Sequence, residues 1–480
     1  MKLNYLKFGT TAFVWMLGTA LVSGQQLADQ SGIDLKDLSS FKDPGQTWSL
    51  AGGVTANLNE ANVFNLTKGT GVLVNVPTKK NAGSDLFTLA QHGDLILELD
   101  FLTAKGSNSG IYLQGNYEIQ LGDSWGVTVP TSSINGGIYE RWDDVRPNGR
   151  QGFEGYAPRQ NVSKAPGLWQ HIKIIFKAPV FDASGTKTAN ARIVSVDLNG
   201  VQIHDNVELS GPTRGAASAE KAIGPLRLQG DHGAVAFKNI KIAKLPVQDA
   251  AMAGRQQRGN DTDPIYIDAP VNTMIRSFID ITGGPRVVHA ISIGSPLKVH
   301  YSYDLDNGLL FQLWRGDFID ATPMWHERGN GSSRPRGSVT TFTTTPAPAL
   351  AKLATADAAW PTDTTGTGFK TKGYTMDTED RPTFTYNVFG TTVTDAVRVL
   401  ENGQGISREI TLVNPVENVY AQLANGSTIE EISKGFYLID GQSFYLKFED
   451  AKDKPVIRDV AGKKQLVVLV RGKLNYSILL

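Results

Sequence analysis

Residues 108–126, NSGIYLQGNYEIQLGDSWG, hold the side chains best suited to chemistry. Within them Tyr117, Ile119 and Leu121 alternate with Glu118 and Gln120. Alternation at period 2 describes a strand with one apolar row and one polar row. If the apolar row lies on a core, the polar row faces away from it, onto a wet concave face. Glu118 and Gln120 then stand side by side as a carboxylate and a carboxamide, suited to the hydroxyls of a polar ligand. A solvated sheet face with no ligand would carry the same residues, and the strand alone does not choose between the two.

Other reactive groups are sparse. There is no cysteine, which removes thiolate nucleophiles, Cys-based metal sites, disulfides and a lipidated-cysteine anchor. The histidines, His92, His171, His204, His232, His289, His300 and His326, are scattered, and no two sit at metal-ligand spacing. A lone histidine is usually a structural or surface residue. In the C-terminal half, Leu313-Trp314-Arg315-Gly316-Asp317-Phe318 and Met324-Trp325-His326-Glu327-Arg328-Gly329 place two indoles near charged groups. They suit sugar stacking, but both tryptophans read more simply as core plugs between strands.

The elements that must position these residues are strands. Leu95, Leu97, Leu99 and Phe101 alternate with Ile96, Glu98 and Asp100, and Val194, Val196 and Leu198 alternate with Ser195 and Asp197. Asn199-Gly200 then supplies a two-residue type I′ turn before Val201 and Ile203, a hairpin. Stretches 297–303, 309–314, 384–389, 444–448 and 466–470 read as further strands. Fifty glycines among 480 residues suit short strands joined by tight turns. No long amphipathic helix and no fixed-period repeat stands out. Lys plus Arg and Asp plus Glu both number 47, so the formal net charge is zero and no basic face points to nucleic acid.

The organisation follows from changes of texture. Lys2 and Lys7 precede an apolar run over residues 8–22, and Val22-Ser23-Gly24 offers a cleavage point before Gln25. The run is shorter than the ~20 residues a membrane span needs, so residues 1–24 read as a cleaved signal peptide rather than an uncleaved anchor. No later segment is apolar enough to cross a bilayer. A periplasmic or extracellular location is expected. Residues 40–245 read as one β-sandwich, 246–263 (small, polar and aperiodic) as a linker, and 264–480 as a second β-rich, sandwich-like domain. Within the latter, residues 338–373 are rich in Thr, Ala, Pro and Gly and read as a long surface excursion.

Ordered blocks across the first domain resemble the 3-keto-disaccharide hydrolase family. They are Asn108-Ser109-Gly110-Ile111-Tyr112-Leu113, Tyr117-Glu118-Ile119-Gln120, Asp123-Ser124-Trp125-Gly126 and Gly137-Ile138-Tyr139. Further on come Asn161-Val162-Ser163-Lys164, Pro166-Gly167-Leu168-Trp169-Gln170, Asn199-Gly200-Val201, Gly211-Pro212-Thr213, Leu228-Gln229-Gly230-Asp231-His232-Gly233 and Phe237-Lys238-Asn239-Ile240. The resemblance implies an all-β fold that opens with a concanavalin-like jelly-roll sandwich, and action on glycosides oxidised to a ketone at C3. It places Glu118 and Gln120 on the ligand face, with Asn108, Tyr139 and His232 at its rim. A ketone at C3 acidifies the C2 proton. Glu118 is the candidate base and His232 the runner-up, while Gln120, Asn108, Tyr139 and Asp123 are the candidate substrate-binding residues. Enolate stabilisation calls for donors or a divalent metal ion, and the sequence has no compact motif from which to name metal ligands. Two departures bear on substrate identity: Gly136 stands where the family has Cys or Thr, and residues 140–156 form a longer connection than usual.

Three functions fit these readings. One is an exported enzyme that cleaves 3-keto-glycosides by elimination or hydrolysis, partnered functionally by a sugar oxidoreductase. The second is a carbohydrate-binding protein without catalysis. The third is an envelope scaffold. Glu118 on a ligand face favours the first, and the lack of a clear second carboxylate keeps the second. The Glu-x-Asp-x-x-Glu pair of family-16 glycoside hydrolases is absent, so no retaining two-carboxylate mechanism is expected.

Overall fold

A computed structural model of the chain describes residues 30–245, 263–326, 328–448 and 454–480. Residues 1–24, expected as a signal peptide, and all of the expected linker but Asp263 lie outside the described residues. Strands dominate throughout, and the one helix among the described residues is the short Thr322–His326. The all-β reading holds, because nearly every segment alternates at period 2 and is bounded by turn residues.

The N-terminal part is a sandwich. An eight-stranded sheet has at its centre Gln170–Lys177, Leu95–Thr103 and Val235–Ala243. A five-stranded sheet runs Phe41–Lys42, Leu86–His92, Gly224–Leu228, Asn108–Leu113, Tyr117–Gly122. Leu95, Leu97, Leu99 and Phe101 face the layer between them and are fully buried. From the smaller sheet, Leu86, Leu228, Ile111 and Ile119 meet them in one line across the strands. This shared layer is why each strand carries one apolar row. The hairpin of Ala191–Leu198 and Val201–Leu209 forms as its turn residues require, with Asn199 at φ 51° and Gly200 at φ 81°.

The C-terminal part contains a six-stranded, a four-stranded and an eight-stranded sheet. Stretches 309–314, 384–389 and 466–470 fall on the strands Leu309–Asp320, Pro382–Val388 and Lys463–Leu469, and Phe444–Phe448 is a strand as read. The two tryptophans part company. Trp314 is a core plug, 0% exposed and stacked on Phe318 at 5.9 Å. Trp325 is 69% exposed on the short helix, which corrects the expectation that both fill the core. Its helix packs no buried residue, so nothing draws the indole inward.

The two parts are docked on each other. Ala165 and Leu168 share an apolar cluster with Leu438 and Tyr445, against which Trp125 packs. Tyr445 Oη donates to Pro166 O at 3.0 Å, and Trp125 Nε1 donates to Gln404 O at 3.1 Å. Gln160 spends both ends of its amide here: Nε2 donates to Arg336 O at 2.9 Å and Oε1 accepts from Asp317 N at 2.6 Å. The Trp-Gly step that follows the polar-row strand therefore serves the junction.

Candidate functional site

The hairpin Asn108–Leu113/Tyr117–Gly122 closes through Gln114-Gly115-Asn116, and its register pairs Tyr112 with Glu118 and Gly110 with Gln120. Directly paired residues on antiparallel strands share a face. Tyr112 in turn pairs with Arg227, Arg227 with Phe87, and Phe87 with Lys42. Lys42, Phe87, Arg227, Tyr112 and Glu118 thus form one row on the face turned away from the core. Tyr139 extends it, since its N–H donates to Glu118 O at 3.1 Å.

This row is not the open wet face that the alternation suggests: Glu118 is 1% exposed and Gln120 4%. Two segments outside the strand explain the difference. Residues 136–139 pair along the edge of the strand, with Gln120 N donating to Gly137 O at 2.8 Å and Gly136 N to Gln120 O at 2.7 Å. From the other side, Thr213 Oγ1 accepts from Glu118 N at 3.1 Å and donates to Asn116 O at 3.1 Å. Ala217 N donates to Gly115 O at 3.0 Å, and Arg227 Nη1 reaches Gly215 O at 2.6 Å. Residues 213–217 are held down across the row by these bonds.

Enclosure sets the chemistry of Glu118. Burial pushes its carboxyl up to about 8, while the Tyr112 hydroxyl and Arg227 favour the charged form and Asp85 and Asp231 oppose it. Neither carboxylate oxygen accepts a hydrogen bond of regular geometry. A buried acid whose desolvation outweighs its partners holds its proton at neutral pH and, once it loses it, is a stronger base than an exposed carboxylate. Burial also drives the Tyr112 hydroxyl upward, with the Glu118 charge as the next cause. Arg227 is committed: Nε donates to Asp85 Oδ2 at 2.5 Å, and the guanidinium lies 4.0 Å from the Tyr112 ring centroid.

The carboxylate has room only because residue 110 has no side chain. A Cβ there would overlap Glu118 Oε1 and lie 3.0 Å from its Cδ. Gly110→Ala is expected to turn the carboxylate out of its seat at a cost of ~1–3 kcal/mol. Thermal denaturation should show a folded, less stable protein whose activity falls along with that of Glu118 variants. Full activity would mean that the carboxylate's position is immaterial.

The remaining candidates spread outward. Asn108 is exposed, and its backbone N–H donates to His232 O at 3.3 Å. His232 is exposed, and its Nδ1 pairs with Asp231. Tyr139 is half-buried at the edge of the row. Asp123 is occupied with backbone: Oδ2 accepts from Gly106 N at 2.9 Å and Oδ1 from Trp125 N at 3.2 Å. Of the other histidines, His92, His204 and His300 are buried, with burial pulling each below the usual range. Among the described residues no three His, Asp or Glu side chains converge as metal ligands.

Several residues of the site escape a reading of the local sequence. Tyr112 stands in the same motif but is not among the candidates, because the hairpin register is what sets it beside Glu118. Arg227 arrives on another strand, Asp85 at the leading end of one, and Thr213 on a covering loop. The long connection 140–156 builds a wall beside that loop. Its ribbon Arg141–Trp142/Gly152–Phe153 stacks Arg146 on Phe153 at 3.5 Å, and Arg214 stacks on Trp142 at 3.8 Å.

Residues 30–243 match the family model of the 3-keto-alpha-glucoside-1,2-lyase-like domain. The matched stretch contains both sheets of the sandwich and the whole row from Lys42 to Tyr139, and it makes this a carbohydrate-active protein. No curated protein matches the chain. Among solved structures, a candidate glycosyl hydrolase from Parabacteroides distasonis is 24% identical, covering 45% of this chain and 84% of its own, with a TM-score of 0.31. A second from the same organism is 22% identical, covering 42% of this chain and 100% of its own, with a TM-score of 0.25. At these values the similarity carries no argument about chemistry.

Proposed function

We propose that the lyase-like domain cleaves glycosides that carry a ketone at C3, with Glu118 as the base. The observation that carries this reading is the seat of Glu118: an enclosed carboxyl raised to about 8 by burial, in a row with Tyr112 and Arg227. The match of residues 30–243 to the family supports it.

The chemistry follows from the substrate. The ionised Glu118 carboxylate takes the proton from C2, and the C2–H electron pair becomes the enolate of the C3 ketone. As the enolate collapses, a C1=C2 double bond forms, the C1–O bond breaks, and the departing oxygen takes up a proton. Release of the unsaturated 3-keto sugar completes a lyase reaction, and addition of water across C1=C2 makes the net result hydrolysis. General base catalysis is worth ~10²–10⁴-fold. Tyr112 and Arg227 place a proton donor and a positive charge along the row where enolate charge develops. Gln120, Tyr139 and Asn108 would orient hydroxyls. His232 stays at the rim as the alternative base. In this reading the protein works outside the cytoplasm, and an oxidoreductase acting at C3 of a sugar supplies its substrate.

The near-complete enclosure of Glu118 favours one second reading, a sugar-binding domain without turnover. Incubation of the full chain with a 3-keto-glucoside bearing a nitrophenol leaving group, with and without chelator, separates the two. Release of nitrophenol, with no release from the unoxidised glucoside, is the expected result. No release under either condition would leave binding as the reading to keep.

A further inference from the structure

The excursion over residues 338–373 folds back onto the C-terminal part and borders a half-open cavity of about 550 Å³. Its floor is the four-stranded sheet that contains Val419–Gly426 and Lys463–Leu469. Its wall is residues 341–347 together with Trp360, Pro361 and Thr362. A recess of about 40 Å³ continues inward past Gln422 and Asn425. The volume lies within the ~300–1,000 Å³ typical of small-molecule sites.

A bulge equips the floor. Gln422 pairs with Val467 and Asn425 with Gln465, while Leu423 is an extra residue between the paired positions. In a regular strand, residues three apart face opposite ways. The inserted residue turns Gln422 and Asn425 onto the same face, and Leu423 and Ala424 enter the core. Gln422 Oε1 and Asn425 Oδ1 are both enclosed, and neither accepts a hydrogen bond. Two buried amide oxygens left open on one cavity wall cost free energy unless a donor meets them.

The opposing wall is held in place before any ligand arrives. Trp360 Nε1 donates to Pro348 O at 2.9 Å. Arg458 spans from the sheet to the excursion: Nε donates to Gln465 Oε1 at 2.9 Å and Nη1 to Ala356 O at 2.7 Å. The rim carries one acid and one base, Asp440 and Lys463. Asp440 Oδ1 is already taken by Ser427 N and Oγ, at 2.8 and 2.6 Å. Such a site offers acceptors to hydroxyl donors, an indole to an apolar ring face, and no net charge to an ion.

We propose that this cavity is a second, non-catalytic carbohydrate site that takes a short segment of a neutral glycan, stacked on Trp360 and donating hydroxyls to Gln422 and Asn425. The lyase-like domain would then act on a substrate retained some distance away on the same chain. Tethering of this kind raises the effective concentration at the first site without any new contact there.

Calorimetric titration of the full chain with maltotriose, cellotriose and laminaritriose, none of which carries a ketone, tests the assignment. Saturable binding of at least one is expected, weakened about tenfold or more by Trp360→Ala and by Asn425→Leu. Hydrogen exchange should slow in residues 341–347 and 422–427 when that sugar is present. Ser427→Trp, a substitution on the exposed rim that closes the mouth, should abolish binding even if Asn425→Leu unfolds. The proposal is overturned if none of the three sugars binds, if binding survives Trp360→Ala and Ser427→Trp, or if protection appears in residues 108–140 instead. Release of nitrophenol from the small 3-keto substrate is read separately, so either reading can fail alone.

Discussion

Glu118→Gln is expected to lower turnover of a 3-keto-glycoside by ~10²–10⁴-fold while leaving the fold intact. Glutamine keeps the shape of the side chain and removes the ionisable group. The pH dependence should identify that group. With the carboxyl raised to about 8, only the deprotonated fraction acts as a base, so the wild-type rate should rise with pH and level off above about 8. The residual rate of Glu118→Gln should lack this rise. A rate that falls through the same region would assign Glu118 the opposite role, as an acid.

The same shift has a consequence for stability with a defined sign. An unfolded glutamate loses its proton near the ordinary value of 4.5, whereas the folded one keeps it to about 8. Between those values the folded state binds more protons than the unfolded state, so rising pH costs the wild type stability. The stability is fully present below 4.5 and is lost as pH rises through about 8. Glu118→Gln has no such loss, so it should match the wild type in acid and exceed it above pH 8 by a few kcal/mol at most, roughly. Melts at acid, neutral and alkaline pH measure this directly. Parallel curves for the two proteins would mean that the buried carboxyl is not the titrating group.

Asp395→Leu is expected to be the most damaging substitution in the C-terminal part. Asp395 is fully buried and is bonded by Arg408 through Nε at 2.9 Å and Nη2 at 2.5 Å. Tyr303 Oη donates to the same carboxylate at 2.8 Å, while Arg408 reaches Tyr476 Oη at 3.0 Å and Gly308 O at 2.9 Å. The two charges sit on adjacent strands of the eight-stranded sheet, and Tyr303 arrives from the six-stranded sheet. Removing the acid strands a guanidinium that is almost wholly buried, without its counter-charge. Breaking one side of a buried pair typically costs ~3–5 kcal/mol. Denaturant titration should show that loss, and Asp395→Leu combined with Arg408→Met should recover part of it, because no unpaired charge remains. A double variant no more stable than Asp395→Leu would mean that shape, rather than the stranded charge, sets the cost.

Neighbouring residues alone determined a good deal of this protein. The alternation of Leu95, Leu97, Leu99 and Phe101 was enough to build a strand, and Asn199-Gly200 was enough to turn one, because period 2 and positive φ are local demands. The opposite orientation of Glu118 and Ile119 was equally local. Whether Glu118 met water was not. That depended on Thr213, 95 residues away, and on the edge segment 136–139, both of which close over the strand only in the assembled sandwich. Desolvation is a property of everything that surrounds a group, so neither the shift to about 8 nor the neighbourhood of Tyr112, Arg227 and Asp85 is encoded in the motif itself. The same holds for Gln422 and Asn425. Their spacing of three places them on opposite faces of a regular strand, and only pairing with Lys463–Leu469 creates the bulge that brings both amides into one cavity.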